Sequence, residues 1–248
     1  MYIIVDESLG LPKELLKGVH VRKTQLKKDS SLEEAIEKGK SGIFGRKLPI
    51  KMRSRDQELE ELSSLMEENK EMLYIYDSYT THKGAIKRLM NWKYPDKRLV
   101  GIDGSNNKAF AVYLLLMAAE GTLEEYFDAG SLNFRKLTIV NNKKYSESGN
   151  YLILKEKKHK QYYLFNGQQD KAILSGEKKE MVEEIVRSSQ AGHMILTSRA
   201  KLDVDASNAH FYQIEETGLP QSNDVVDILI AGDFPRPGIN ESHGVTDR

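Results

Sequence analysis

Three aspartates close short apolar runs in the first half of the chain: Asp6 after Tyr2–Val5, Asp77 after Met72–Tyr76, and Asp103 after Leu99–Ile102. In an open parallel sheet the carboxyl ends of the strands border the ligand crevice. Three carboxylates gathered there would offer oxygen ligands to Mg²⁺ and support metal-assisted phosphoryl chemistry. Aspartate also ends strands and caps helices with no ligand involved, so both readings stand. A second constellation is the loop Tyr79, Thr80, Thr81, His82, Lys83 and Gly84, between a strand and a helix. Hydroxyls and free N–H groups at a helix N-terminus form an anion site, although Thr80 or Thr81 would serve equally as an ordinary N-cap. The basic segment 46–55, with Arg46, Lys47, Lys51, Arg53 and Arg55, could close over an acidic head group or lie solvated. On the first view, loop 79–84 and segment 46–55 face each other across a cleft between lobes. Arg53 would then grip a carboxylate through its planar fork.

Other chemistries find no support. The six histidines, His20, His82, His159, His193, His210 and His243, have no metal-binding spacing. Without cysteine there are no disulfides, thiolate metal sites or thiol nucleophiles. No glycine-rich phosphate loop, HExxH or GxSxG motif occurs, and no cofactor is expected. The 37 basic and 37 acidic residues cancel to a formal net charge of zero. That excludes an overall basic field for nucleic acid. The longest apolar run, Val112 to Ala119, is far short of the ~20 residues of a membrane span. Asp6 and Glu7 lie where a signal peptide needs an apolar core, and a cytoplasmic protein is expected.

These residues must be positioned by the elements around them. Strand-like runs alternate with helical patterns up to about residue 127. Helices are expected at Pro12–Lys17, from Ser30 or Ser31 to Lys38, at Arg55–Asn69, from Thr80 or Thr81 to Met90, and at Asn107–Glu120. The long Arg55–Asn69 helix should carry its acids on the outer face. Short strands at Tyr2–Val5, Val19–Val21, Met72–Tyr76 and Leu99–Ile102 complete right-handed βαβ units and a parallel sheet. Short strands follow at Lys136–Val140, Tyr151–Leu154, Tyr162–Phe165, Ala172–Leu174, His193–Thr197, His210–Ile214 and Val225–Ile230, with a helix at Glu177–Gln190. Asn166-Gly167 marks a hairpin. The fold class is therefore α/β in two lobes: a parallel βαβ, Rossmann-like lobe over 1–131 and an α+β lobe over 132–248, its tail loose from about 234. Residues 112–119 either pack inside on the sheet or wall a lipid cavity.

The order of these features resembles the DegV family of bacterial fatty-acid-binding proteins. IIVDESLGLP, residues 3–12, has the register of that family's strand-Asp-Ser-x-x-Asp-Leu-Pro opening, with Asp6, Leu11 and Pro12 on matching positions, Glu7 for its Ser and Gly10 for its second Asp. Residues 99–127 are similar to the family's strand-Ile-Asp-Ser and small-residue helix, and residues 136–153 to its Leu-x-Tyr-Leu and double-Gly segment, with Gly149 retained. The resemblance implies a fatty acid held between two lobes. In the family, a Thr in a Lys-Thr-Ser-Gln-Pro loop and a Ser in a Ser-Ser-Gly-x-Ser-Gly-Thr loop bind its carboxylate. Here Lys51 remains in the first loop, with Met52 at the Thr position. The second reads YTTHKGA, with Tyr79 or Thr80 near the Ser and Gly84 retained. The C-terminal His-x-Gly-Pro-Gly of the family is not present. By the same resemblance, a partner kinase receives the acyl chain. The expected protein carries a fatty acid or similar anion-headed amphiphile and needs no catalytic residue. The alternatives are a Mg-dependent phosphohydrolase on Asp6, Asp77 and Asp103, or a ligand-free regulatory protein of the same fold.

Overall fold

The computed structural model describes residues 1–25, 51–78, 80–93, 96–121, 134–141, 161–167, 172–189, 193–203, 207–215 and 225–231. The expected helix from Ser30 to Lys38, the strand Tyr151–Leu154, the boundary at 131/132 and the tail from 234 lie outside them.

Two sheets organise the chain. The first is wholly parallel, in the order β2 (His20–Arg22), β1 (Tyr2–Asp6), β3 (Glu71–Tyr76), β4 (Arg98–Asp103). Both its faces are covered, as parallel sheets require. Side chains alternate along each strand. Ile4, Met72, Tyr74 and Leu99 therefore pack with Leu62 and Met66 of α1 (Arg55–Glu68) and Ile86 of α2 (Lys83–Arg88). Val5, Leu73 and Ile75 pack on the opposite face, against α3 (Lys108–Glu120). Gly101 lets α2 approach, because a Cβ there would come within 2.5 Å of the Ile86 side chain.

The second sheet is mixed, in the order β7 (Leu174–Gly176), β6 (Tyr162–Asn166), β5 (Phe134–Val140), β10 (Val226–Ala231), β8 (His193–Ser198), β9 (Ala209–Gln213). Only β8 and β9 run parallel. Its outer face packs on α4 (Lys178–Ser188) through Leu137, Met194, Leu196, Val226 and Ile228. Its inner face sends Ile195 and Leu229 into the cluster that holds α3. The apolar helix is thus an internal layer between the sheets. Val112, Tyr113 and Leu114 have no exposed surface, and burying each contributes ~1.5–3 kcal/mol.

Several elements differ from the expectations. Pro12–Lys17 forms only a 3₁₀ turn, Lys13–Leu16. α2 begins at Lys83 with His82 as N-cap, rather than at Thr80 or Thr81. The reason is that both threonine N–H groups bond the Asp77 carbonyl, at 3.0 and 2.9 Å, in a turn that precedes the helix. A π turn over Leu89–Lys93 extends α2. Asn107 caps α3 by accepting from Phe110 N at 2.9 Å. Ser54 and Gln57 form a capping box at α1. The strand expected at Ala172–Leu174 lies at Leu174–Gly176. Glu58 of α1 is fully buried, against the expectation that the acids of this helix face outward.

Candidate ligand-binding site

The carboxyl ends of the first sheet carry two polar groups, one on each face. On the α1 face Asp6 is the hub. Its Oδ1 accepts from the Tyr74 hydroxyl at 2.8 Å; its Oδ2 accepts from Asp77 N at 2.8 Å and from Thr81 Oγ1 at 2.7 Å. Burial pushes the Asp6 carboxyl above its ordinary range, and these three hydrogen bonds with the nearby Arg22 charge pull it partly back. Arg22, at the end of β2, donates to Tyr74 Oη at 2.5 Å, to Glu61 Oε1 at 2.8 Å and to Glu58. Burial works against its charge, but Glu61, Tyr74 and Glu58 outweigh it and its pKa is raised. Burial raises the Glu58 carboxyl, whereas the hydrogen bond from Arg22 lowers that of half-exposed Glu61. Arg53 completes this face. Its guanidinium donates to Lys23 O at 2.5 Å and lies 3.5 Å from Glu61 and 4.0 Å from Asp6.

The arrangement redistributes the residues expected at a head-group site. Arg53 and Thr80 do meet, through Arg53 N and Thr80 O at 3.4 Å. They meet directly at one pole of the first sheet, not across a cleft between lobes. Arg53 is 4% exposed and committed to the internal network. Thr81 is spent on Asp6, and Thr80 Oγ1 contacts Ser8 Oγ at 3.2 Å and donates to Asp77 O at 3.3 Å. Lys83 and Gly84 are exposed, and Lys83 pairs with Asp103 at 2.7 Å. Gly84 leaves room for the His82 ring, whose Cε1 would lie 3.0 Å from a Cβ there. Lys51 and Met52 are exposed, Lys51 N donating to Gln25 O at 2.9 Å. Tyr79 lies outside the described residues, as do Arg46 and Lys47.

Asp6, Asp77 and Asp103 do not converge as a metal site. No group of three potential ligands able to hold a metal occurs among the described residues. Alternation turns Asp77 to the opposite face from Asp6, while Asp6 and Asp103 share a face but end β1 and β4, with β3 between them. Asp6 turns to α1, Asp103 is tied to Lys83 of α2 and to Ser105 Oγ at 2.5 Å, and Asp77 lies beside Lys108 at the head of α3.

The second polar group occupies the seam between the sheets. Asp227 of β10 accepts from Lys108 N at 3.1 Å and from Thr138 Oγ1 at 2.9 Å. Asn107 Nδ2 donates to Leu137 O at 3.3 Å. The second sheet therefore grips the N-terminus of α3, where a carboxylate also favours the helix dipole. Burial pushes Asp227 up to about 6 despite these bonds. Lys108 is pushed down to about 8 by burial first and then by the Arg199 charge, with Asp77 and Asp227 opposing. Sequence reasoning missed Lys108, Asp227 and Arg199. Only Asp227 left a signal, as an acid inside the apolar run VVDILI.

No family model matches the sequence, and no curated protein does. Solved structures do match. A DegV family protein from Corynebacterium glutamicum superposes with a TM-score of 0.57 at 12% identity, covering 94% of this chain and 98% of that one. The fold is that of the DegV proteins. DegV of Bacillus subtilis, described as a fatty acid binding protein, matches with a TM-score of 0.55 at 10% identity over 93% of this chain and 98% of its own. A DegV family protein from Thermus thermophilus, described for its fatty acid binding, gives 0.54 at 11% over 93% and 98%. In this DegV fold the expected α/β class is borne out. The strands from Phe134 onward build a second sheet instead of extending the first. No helix among the described residues is long and apolar enough to cross a membrane.

Proposed function

We propose that this chain is a lipid-binding protein of DegV type, holding a fatty acid or similar anion-headed amphiphile between its two halves. The observation that carries the reading is the likeness in fold, over more than nine tenths of both chains, to structures described as fatty-acid-binding. The chemistry of the seam supports it too. At the head of α3, where the two sheets meet, Lys108, Asp227 and Thr138 form a buried polar cluster of the kind that suits an anionic head group. We take the halves to divide at 131/132 and a kinase to be the partner that receives the acyl chain. Of the residues expected to meet the head group, Lys51, Tyr79, His82, Lys83 and Gly84 remain in the proposal. Arg53, Thr80 and Thr81 act behind them, holding the loop.

Native mass spectrometry of the purified protein beside a denatured control tests the reading. An excess mass of a few hundred daltons (the range of a single fatty acid), lost on denaturation and identified as lipid, is expected. The bare polypeptide mass alone, also after incubation with fatty acids, would overturn it.

A further inference from the structure

The seam brings two cations together where the first sheet meets the second. Lys108 is 4% exposed at the head of α3, and Arg199 follows β8 directly. Asp77 and Asp227 lie beside Lys108, and Lys136 adds a positive charge over the Phe110 ring at 3.9 Å, two residues along the helix. Among these described residues, two carboxylates face three cations around the helix head.

A hydroxyl points into the same place. Thr197 stands directly opposite Asp227 in the antiparallel β8–β10 pair, as Thr138 does in the β5–β10 pair. Alternation puts all three on the face of Ile195 and Leu229, which packs on α3. Thr138 donates to Asp227. Thr197 is 1% exposed, and its Oγ1 has no hydrogen-bond partner among the described residues. A buried hydroxyl without a partner carries a desolvation penalty, which a ligand atom would remove. Arg199 also lines an open groove of about 650 Å³ with Pro12, Lys13, Gln213, Ile214 and Glu215. That volume lies within the ~300–1,000 Å³ range of ligand pockets. The groove, also lined by Glu14, is formed by residues from both halves, and Arg199 is the subsite residue that borders it.

We propose that Lys108 and Arg199, with the Thr197 hydroxyl, form an anion subsite in the seam between the sheets, taking the carboxylate of an amphiphile that enters along this groove. The inference rests on the lipid-binding reading and moves the charge partner of the head group from Arg53 to the seam. Arg199 supplies a planar fork suited to a carboxylate. Lys108 supplies a point charge whose protonated form the ligand stabilises. Asp77 and Asp227 keep the empty site from holding two unbalanced positive charges.

The test compares palmitate with hexadecanol on the delipidated full chain, by calorimetry at neutral pH. Arg199→Gln and Lys108→Met should each weaken palmitate binding about tenfold or more, the effect of losing one charge-assisted bond, and leave hexadecanol binding within about twofold. Thr197→Val, the mildest change, should weaken palmitate several-fold. Wild-type palmitate affinity should fall as pH rises through about 8, where Lys108 loses its proton, and Lys108→Met should flatten that fall. If wild type binds both lipids but the three variants lose neither or lose both equally, the subsite is overturned while the lipid reading stands. If wild type binds neither lipid, the lipid reading falls and the subsite falls with it. Thermal unfolding of each variant identifies one that fails to fold, and Thr197→Val with the wild-type pH profile then decides.

Discussion

The two faces of the first sheet solve the same problem in different ways. On the α1 face, Asp6, Tyr74, Thr81, Arg22, Glu58 and Glu61 form a network in which nearly every donor finds an acceptor. On the seam face, Asp227 accepts from Lys108 N and from Thr138 Oγ1, while Thr197 Oγ1, directly opposite, is left without a partner among the described residues. A network whose hydroxyl and Arg22 donors are already committed fixes backbone positions and leaves little for an anion, although Glu58 Oε2 and Arg53 Nε have no hydrogen-bond partner among the described residues. A cluster with spare capacity is where a ligand gains most by binding. Buried charge alone therefore does not locate a site; unspent hydrogen-bonding capacity does.

The sharpest way to break the comparison is Arg22→Met. It strands Glu58, which has no exposed surface, without its cation. Breaking a buried pair from one side costs about 3–5 kcal/mol, and urea unfolding should show a loss of that size. Adding Glu58→Leu removes the stranded charge and should recover more than half. A single variant losing under 1 kcal/mol would show that the network is far less tightly coupled than its geometry.

Asp6→Ala should come next, at about 2–3 kcal/mol, because it leaves the buried Asp77 N without its acceptor and takes the carboxylate from the Thr81 and Tyr74 hydroxyls, which keep only each other and Arg22. Its loss should appear as faster amide exchange at Asp77, Thr80 and Thr81, since Asp6 anchors the start of their turn. Unchanged exchange there would mean that the turn holds itself.

The seam differs in its response to pH. The folded-state pKa of Asp227 is raised from 3.8 to about 6, so the native protein binds this proton more tightly than the unfolded chain. The contribution is fully present below the unfolded value and is lost as pH rises through about 6, with a slope of at most ~1.4 kcal/mol per pH unit. Asp227→Asn removes it. The variant should therefore gain on wild type between pH 4 and 6.5 in paired denaturant titrations. Differencing the two proteins cancels the similar raised carboxyls of Asp6 and Glu58. Parallel pH profiles would show that Asp227 titrates as an ordinary surface acid.

The elements were largely legible because their signals are local. The leucine spacing of α1 and the apolar run of α3 each declare themselves within a few residues, and the helices formed there lie within a residue of the expected bounds. The site was less legible because its chemistry is assembled from distant segments. Arg22 follows a run of two valines and a histidine and reads as a surface cation, yet it is buried by Glu58 and Tyr74, thirty-six and fifty-two positions away. Arg53 reads as a free fork in a basic loop, and only the fold reveals that Lys23 O, Glu61 and Asp6 have claimed it. Lys108 opens an apolar helix, where a lysine ordinarily extends to solvent. Here the second sheet closes over that end.

The smallest expected effect lies at the boundary between the two groups. Lys83 pairs with Asp103 at 2.7 Å, and Asp103 Oδ1 accepts from Ser105 Oγ, which in turn contacts Ser78 Oγ at 2.9 Å. This chain ties the loops after β3 and β4 together at the rim of the seam. The Lys83 side chain is 44% exposed, so solvent and salt screen the pair, and exposed pairs contribute at most ~1 kcal/mol. Lys83→Met should cost less than that in low salt and nothing measurable in high salt. If the rim is held as loosely as the seam, amide exchange at Ser78 and Ser105 should quicken while global stability stays put. A loss above 2 kcal/mol that salt does not diminish would place Lys83 and Asp103 inside a saturated network like that of Asp6, and would move the division between the two groups to the far side of β4.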